Sequence, residues 1–258
     1  MDAQALKGKV AVITGSGRGL GKAYALLLAQ YGADIAVTDR SAASANRFGE
    51  GSAEDTVAQI RAMGCRSSFF SADLTDPAAV EGLVQEVVET FGHIDIWVNN
   101  AGGDIGAHTP RPDPDDCLDI AVEDVESVVS RNLLATIYAC KFAGQQMRRQ
   151  MGGKIINVGS IGAHMALPTG AVYNACKRGI EHYTRCMAEQ MRPYNVNVNC
   201  LSPGYAKSAR IASTRQIPDM PDTPRLERFA EPEDMAKSVA FLAGPDSDRL
   251  TGETIVFW

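Results

Sequence analysis

The sequence has no Cys-x-x-Cys pair: its six cysteines stand apart at 65, 117, 140, 176, 186 and 200. Zinc ribbons and small disulfide frameworks need paired thiols, so both are excluded, and reduced thiols in a cytoplasmic setting are expected. No uninterrupted apolar run approaches the ~18 residues of a membrane span, and residues 1–9 lack the apolar core of a secretory signal. Basic charge is thin, with no cluster denser than Met147-Arg148-Arg149 in a chain of formal net charge −6. A nucleic-acid surface needs a basic stripe, so that partner class is not expected. Repeats and low-complexity linkers are also missing. A single domain over residues 1–258 is the simplest organisation.

What is present is a rhythm. Short β-branched runs at 10–14, 35–38, 67–71, 94–99, 154–158, 196–201 and 254–257 alternate with helical patterns at 20–31, 54–63, 77–91, 122–151, 171–192 and 232–243. Several of the runs are apolar throughout, as strands buried on both faces require. The pattern predicts an α/β fold: one Rossmann-type, doubly wound parallel sheet of about seven strands with helices on both faces. Two stretches break it. Residues 102–119 are rich in Gly, Pro and Asp, and residues 206–226, with Pro218, Pro221 and Pro224, read as a substrate lid.

After the first strand comes Thr14-Gly15-Ser16-Gly17-Arg18-Gly19-Leu20-Gly21, leading directly into a helix. The G-x-G-x-x-G spacing fails because Leu20 occupies the third glycine's place. The spacing T-G-x-x-x-G-x-G holds through Gly15, Gly19 and Gly21. Such a turn brings backbone close to a pyrophosphate and holds it at a helix N-terminus. Asp39 ends the second strand, where a carboxylate can bond the adenosine ribose hydroxyls and repel a 2′-phosphate. NAD is therefore expected, with NADP less favoured, although Arg18 and Arg40 stand close enough in sequence to meet a phosphate.

Ser160 follows the fifth strand, and Tyr173-Asn174-Ala175-Cys176-Lys177 opens the helix after it. Tyr173 and Lys177, at i and i+4, share one helix face. An unperturbed phenol, with a pKa of about 10, is a poor base at neutral pH. An ammonium beside a phenol favours the phenolate, which can then exchange a substrate hydroxyl proton while hydride leaves the same carbon. The Ser160 hydroxyl can hold the substrate oxygen.

On Thr14–Gly21, Asp73-Leu74, Asn99-Asn100-Ala101-Gly102, Asn132, Ser160, Tyr173-x-x-x-Lys177 and Pro203-Gly204, the sequence resembles the short-chain dehydrogenase/reductase family in its single-domain branch, over nearly its whole length. The resemblance implies a catalytic set of Asn132, Ser160, Tyr173 and Lys177. It implies that Asp73 and Leu74 flank the adenine, and that Asn100, Ala101 and Gly102 shape the nucleotide floor. Asn132 would hold a water that relays protons through Lys177, which would also bind the nicotinamide ribose. Pro203, Gly204, Ala206 and Ser208 would line the nicotinamide, Ser208 standing where the family usually has threonine. It implies no metal, and a homo-oligomer, tetramer or dimer.

The expected activity is an NAD-dependent oxidoreduction of a secondary alcohol or ketone, cyclic polyol or sugar hydroxyl, a small-molecule substrate. The alternatives are an NADPH-dependent carbonyl reductase of the 3-oxoacyl kind and, more distantly, a non-catalytic dinucleotide sensor. Ile105, Ile161, Met165, Leu167 and Tyr205 would suit an apolar ring; Arg210 and Arg215 in the lid could clamp an anionic or polyhydroxylated substrate, and His108 and His164 could reach the pocket mouth.

Overall fold

The computed structural model describes residues 2–43, 51–208 and 229–257. Seven strands, β1 (Val10–Thr14), β2 (Asp34–Asp39), β3 (Ser67–Ser71), β4 (Ile96–Asn99), β5 (Gly153–Val158), β6 (Val196–Ser202) and β7 (Thr254–Val256), form one sheet. Its order is β3-β2-β1-β4-β5-β6-β7, and every pairing is parallel. The chain winds outward from β1 in one direction and from β4 in the other. The crevice between those two strands' carboxyl ends is where ligands bind in such sheets.

The period-2 alternation of each strand sends side chains to two cores. From β1, Ala11 and Ile13 face one core while Val10 and Val12 face the other. Helices α1 (Gly19–Gln30), α2 (Ala53–Ala62) and α7 (Pro232–Ala243) cover the first face. Helices α3 (Pro77–Phe91), α5 (Ala135–Gln150) and α6 (Ala171–Met191) cover the second. In α3, the apolar stripe Val80, Leu83, Val84, Val87 and Phe91 is buried, each such side chain contributing about 1.5–3 kcal/mol relative to exposure. Asp76 caps its start, Pro77 takes its first position, and Gly92 ends it with φ 93°.

Most boundaries shift by no more than one residue, and two elements change further. The strand predicted from 94 begins at Ile96, because the Ile94 N–H donates to Gln150 Oε1 at 3.2 Å instead of to a ladder. The single helix predicted at 122–151 is α4 (Val122–Val129), a π-helical turn (Ser130–Leu134) and α5.

A polar thread crosses the second core and fixes α6 against the sheet. Trp97 Nε1 donates to Asn99 Oδ1 at 2.7 Å, Asn99 Nδ2 to Asn157 Oδ1 at 2.8 Å, and Asn157 Nδ2 to Thr184 Oγ1 at 2.9 Å. Buried and satisfied, such a network holds one arrangement of strand and helix. No helix among the described residues is long and apolar enough to cross a membrane.

Candidate active site

The crevice is opened by Thr14. Its Oγ1 accepts from the Asn100 and Ala101 N–H groups, both at 2.9 Å, and donates to the Val98 carbonyl at 3.2 Å. Asn100 Nδ2 returns a bond to the Thr14 carbonyl at 2.9 Å. The glycine turn then passes with Gly15 at φ 65° and Gly19 at φ 55°, where a side chain would be strained. Gly21 answers a different need: a Cβ there would lie 2.2 Å from the Gly15 carbonyl oxygen. The α1 N-terminus carries no side-chain cap and no acid in its first turn, which leaves its N–H groups to an anion.

A cavity of about 730 Å³ runs from this turn to the start of α6, within the range of small-molecule and cofactor sites. Gly15, Arg18, Gly19 and Leu20 line it near the turn, with Asn100, Ala101 and Gly102 beside them. Asp39, Arg40, Asp73 and Leu74 line one end. Desolvation pushes the Asp73 carboxyl up, but bonds from the Thr75 N–H (3.0 Å) and Thr75 Oγ1 (2.7 Å), together with Arg40 and Arg131, hold it below the usual carboxylate range. Ser160, Tyr173, Lys177, Pro203, Gly204, Ala206 and Ser208 line the other end.

At that end, Ser160 leaves β5 with extended backbone, and its Oγ accepts from the Gly162 N–H at 3.2 Å. The Ile161 N–H donates to the Pro203 carbonyl at 2.8 Å, which stitches the turn after β5 to the turn after β6. Lys177 is only 4% exposed. Its Nζ donates to the Val158 carbonyl at 2.8 Å and lies 5.5 Å from the Tyr173 ring centroid. Hydroxyl, phenol and ammonium thus share one wall, and a charge buried this deeply acts through a low effective dielectric.

Three expected residues sit elsewhere. Ser16 is buried behind the turn, where its Oγ donates to the Ile13 carbonyl and accepts from the Thr38 N–H. Gly17 is also buried, and its carbonyl accepts from Thr56 Oγ1. Asn132, fully buried in the π-helical turn, spends its amide on Gly103: Oδ1 accepts from Gly103 N–H at 2.8 Å and Nδ2 donates to the Gly103 carbonyl at 2.9 Å. None of the three lines the cavity. Of the apolar candidates, Ile105, Ile161, Leu167 and Tyr205 do, whereas Met165 does not. His108 is exposed and His164 faces Glu181; Arg210, Arg215 and most of the 206–226 segment lie outside the described residues.

One clasp was not expected from the sequence. Arg111, on the cavity wall, pairs with Asp115 at 2.9 Å through Nε and lies 3.3 Å from Asp104, while the Asp115 carbonyl accepts from the Gly170 N–H at the foot of α6. It pins the 102–119 loop as a wall. The i, i+4 spacing of Arg111 and Asp115 was its visible signal.

A short chain dehydrogenase family model matches residues 9–218. A cyclohexanol dehydrogenase from Rhodococcus is 38% identical over 97% of this chain and 94% of its own length. A hydroxynaphthalene reductase from Aspergillus fumigatus is 34% identical over 96% of this chain and 90% of its own. Among solved structures, a short-chain type dehydrogenase/reductase from Mycobacterium marinum superposes with TM-score 0.86 at 28% identity, covering 99% of this chain and 96% of that one. A short-chain dehydrogenase from Burkholderia cenocepacia in complex with NADP gives 0.82 at 29%, covering 98% and 97%. A doubly wound parallel sheet with its cavity at the switch point is a Rossmann-type fold. The chain belongs to the short-chain dehydrogenase/reductase family, whose members bind NAD(P).

Proposed function

We propose that the chain moves a hydride between NAD and a ring-borne or branched secondary alcohol, or its ketone. The observation that carries this reading is one cavity with Ser160, Tyr173 and Lys177 at one end and the glycine turn with Asp39 at the other. The glycine turn fits a pyrophosphate: Gly15 and Gly19, both at positive φ, line the cavity at the uncapped start of α1, and Gly21 lets that helix close on the turn. Gly15, Arg18, Gly19 and Leu20 would hold the diphosphate, Asp39 the adenosine ribose, Asp73 and Leu74 the adenine, with Asn100, Ala101 and Gly102 as floor. Pro203, Gly204, Ala206 and Ser208 would hold the nicotinamide, which when bound supplies the carbon that accepts or returns hydride.

In this reading Ser160 Oγ holds the substrate oxygen and Tyr173 Oη exchanges its proton. The Lys177 ammonium stabilises negative charge on the phenolic oxygen and helps hold the nicotinamide ribose. Asn132 serves as anchor of the Gly102-Gly103 turn, because its amide is already committed there. Ile105, Ile161, Leu167 and Tyr205 favour an apolar substrate body over a sugar. The names of the Rhodococcus and Aspergillus relatives, which both specify a ring-bearing hydroxyl compound, support the same choice. Six free cysteines support a reducing, cytoplasmic setting.

The test is a panel of cyclohexanol, myo-inositol and glucose with NAD or NADP, read by absorbance of the reduced cofactor. Cyclohexanol should turn over with NAD, and Tyr173→Phe should cut kcat by about 100-fold or more. Turnover that survives loss of the hydroxyl removes Tyr173 from the mechanism.

Arg18 and Arg40, on the same wall as Asp39, favour a second reading in which NADP is the cofactor, as in the Burkholderia complex. Titration with NADH and NADPH separates the two. NADH should bind more tightly, and Asp39→Ala should move the preference toward NADPH by about tenfold, roughly 1.4 kcal/mol. An unmoved ratio would mean that Asp39 does not face the ribose.

A further inference from the structure

Among the described residues, Lys177 and Glu181 are the two most deeply buried charged residues, 4% and 3% exposed. They stand at i and i+4 of α6, and Tyr173, Lys177 and Glu181 lie in succession on one face of that helix. The hydride-transfer reading gives the first two a task and leaves Glu181 without one. A buried carboxylate is costly unless it is paired and hydrogen-bonded, so its partners identify what it holds.

Those partners come from three segments. Glu181 Oε1 accepts from Ser202 Oγ at 2.6 Å, at the end of β6. The same oxygen lies 2.7 Å from His164 Nε2, off the line of a hydrogen bond, at the end of the 3-10 turn Ile161–His164. Glu181 Oε2 accepts from Arg178 Nη1 at 2.7 Å, on α6 itself. Ser202 directly precedes Pro203, His164 is four residues past Ser160, and Arg178 directly follows Lys177. The carboxylate therefore joins the same three segments that carry the proposed oxygen-holding, nicotinamide-lining and proton-exchanging groups. Gly159 makes room for it: a Cβ there would lie 2.4 Å from Ser202 Oγ and 3.5 Å from Glu181 Oε1. Burial pushes the nearby Cys200 thiol up to about 12, with Glu181 adding to that rise and Lys177 opposing it, so both charges act in one buried region.

We propose that Glu181 is a positioning residue for hydride transfer: its buried carboxylate clamps the Ser160 turn and the end of β6 to α6, and supplies a counter-charge one turn from the Lys177 ammonium. This rests on the hydride-transfer reading given above. A loosened clamp leaves the cofactor's glycine turn untouched and spoils the alignment of Ser160 with Tyr173, so the loss falls on kcat.

The experiment compares wild type, Glu181→Gln, Glu181→Asp and Tyr173→Phe on the alcohol of the panel that wild type oxidises fastest, together with NADH titration and hydrogen–deuterium exchange of the cofactor-free protein. Glu181→Gln should lower kcat about tenfold while KM and the NADH dissociation constant stay within about twofold. Exchange should rise in peptides covering 159–165 and 200–204 and stay unchanged across β1 and α1. Glu181→Asp, which restores the charge, should recover part of the rate. A Glu181→Gln protein with wild-type kcat and exchange, beside an inactive Tyr173→Phe, overturns the clamp alone. Unaffected turnover in Tyr173→Phe overturns the underlying mechanism instead. Should Glu181→Gln fail to fold, Ser202→Ala and His164→Gln carry the test; each removes one arm and should lower kcat about threefold with NADH binding intact. Unchanged kcat in both would overturn the clamp.

Discussion

Gly21 sits in the first turn of α1, where its backbone is helical and a side chain is ordinarily tolerated. Its neighbours forbid one: a Cβ would lie 2.2 Å from the Gly15 carbonyl oxygen and 2.6 Å from Asn100 Nδ2. The carbonyl is backbone and cannot swing aside, so α1 must retreat from the glycine turn. Gly21→Ala should therefore cost about 1–3 kcal/mol in urea unfolding and weaken NADH binding together with stability. A variant that unfolds with wild-type stability would show that helix and turn are not in close contact. Gly19 provides the contrast, since nothing lies within 4 Å of its Cβ position and only its φ of 55° opposes substitution. Short-range chemistry of this kind was legible in the sequence. Thr14–Gly21 and Tyr173/Lys177 are fixed by spacings of eight residues or fewer, and the structure places most of them on one cavity. Glu181, Ser202 and His164 gave no such signal, because their meeting depends on β5, β6 and α6 being side by side.

At the scale of elements, apolar periodicity located every strand and α-helix of the described residues to within two residues at each end, apart from one interior; the short 3-10 turns such as Ile161–His164 carry no such period. Residues 122–151 keep a helical pattern throughout, yet the helix widens at Ser130–Leu134. The cause lies outside the segment: Asn132 must reach the backbone of Gly103, 29 residues away, while its Nδ2 also bonds the Val128 carbonyl at 2.8 Å. Such a widened turn is a common way for a helix to re-aim one side chain at a functional site. Asn132→Ala would leave the buried Gly103 N–H and carbonyl without their partners. At about 1–3 kcal/mol per unsatisfied group, the loss should be roughly 3 kcal/mol, visible in urea unfolding and in faster exchange across residues 101–105. A loss below about 0.5 kcal/mol, the size of an ordinary surface change, would mean that the amide does not anchor the turn. The Arg111 clasp belongs to this scale too, for it closes a loop with local charges whose partner, Gly170, is distant in sequence.

For the whole molecule, the two cores impose a pH dependence through groups with no part in the chemistry. Burial pushes the Cys140 thiol up to about 12, against weaker opposition from its bonds with Asn157 and Asn99, and burial pushes Cys200 up to about 12 as well. In the unfolded chain a thiol titrates near 8.5. The folded state thus keeps two protons that the unfolded state releases in alkali. Stability from these sites is fully present below the unfolded thiol's pKa and is lost as pH rises from there toward the folded value. Each site removes up to about 1.4 kcal/mol per pH unit inside that window. Urea unfolding at pH 8 and pH 10 should show the decline, and Cys200→Ala should flatten it, whereas Cys117→Ala, at an exposed position, should not. Thiol labelling gives the same answer independently. At pH 8 the native protein should react quickly at the exposed Cys117 and Cys186 and resist at Cys140 and Cys200 until denaturant is added. Fast native labelling of Cys140, located by peptide mass, would mean that the core between β4, β5 and α5 opens to solvent. The arrangement that places Tyr173 and Lys177 rests on that same core, so the opening would have to appear in kcat as well.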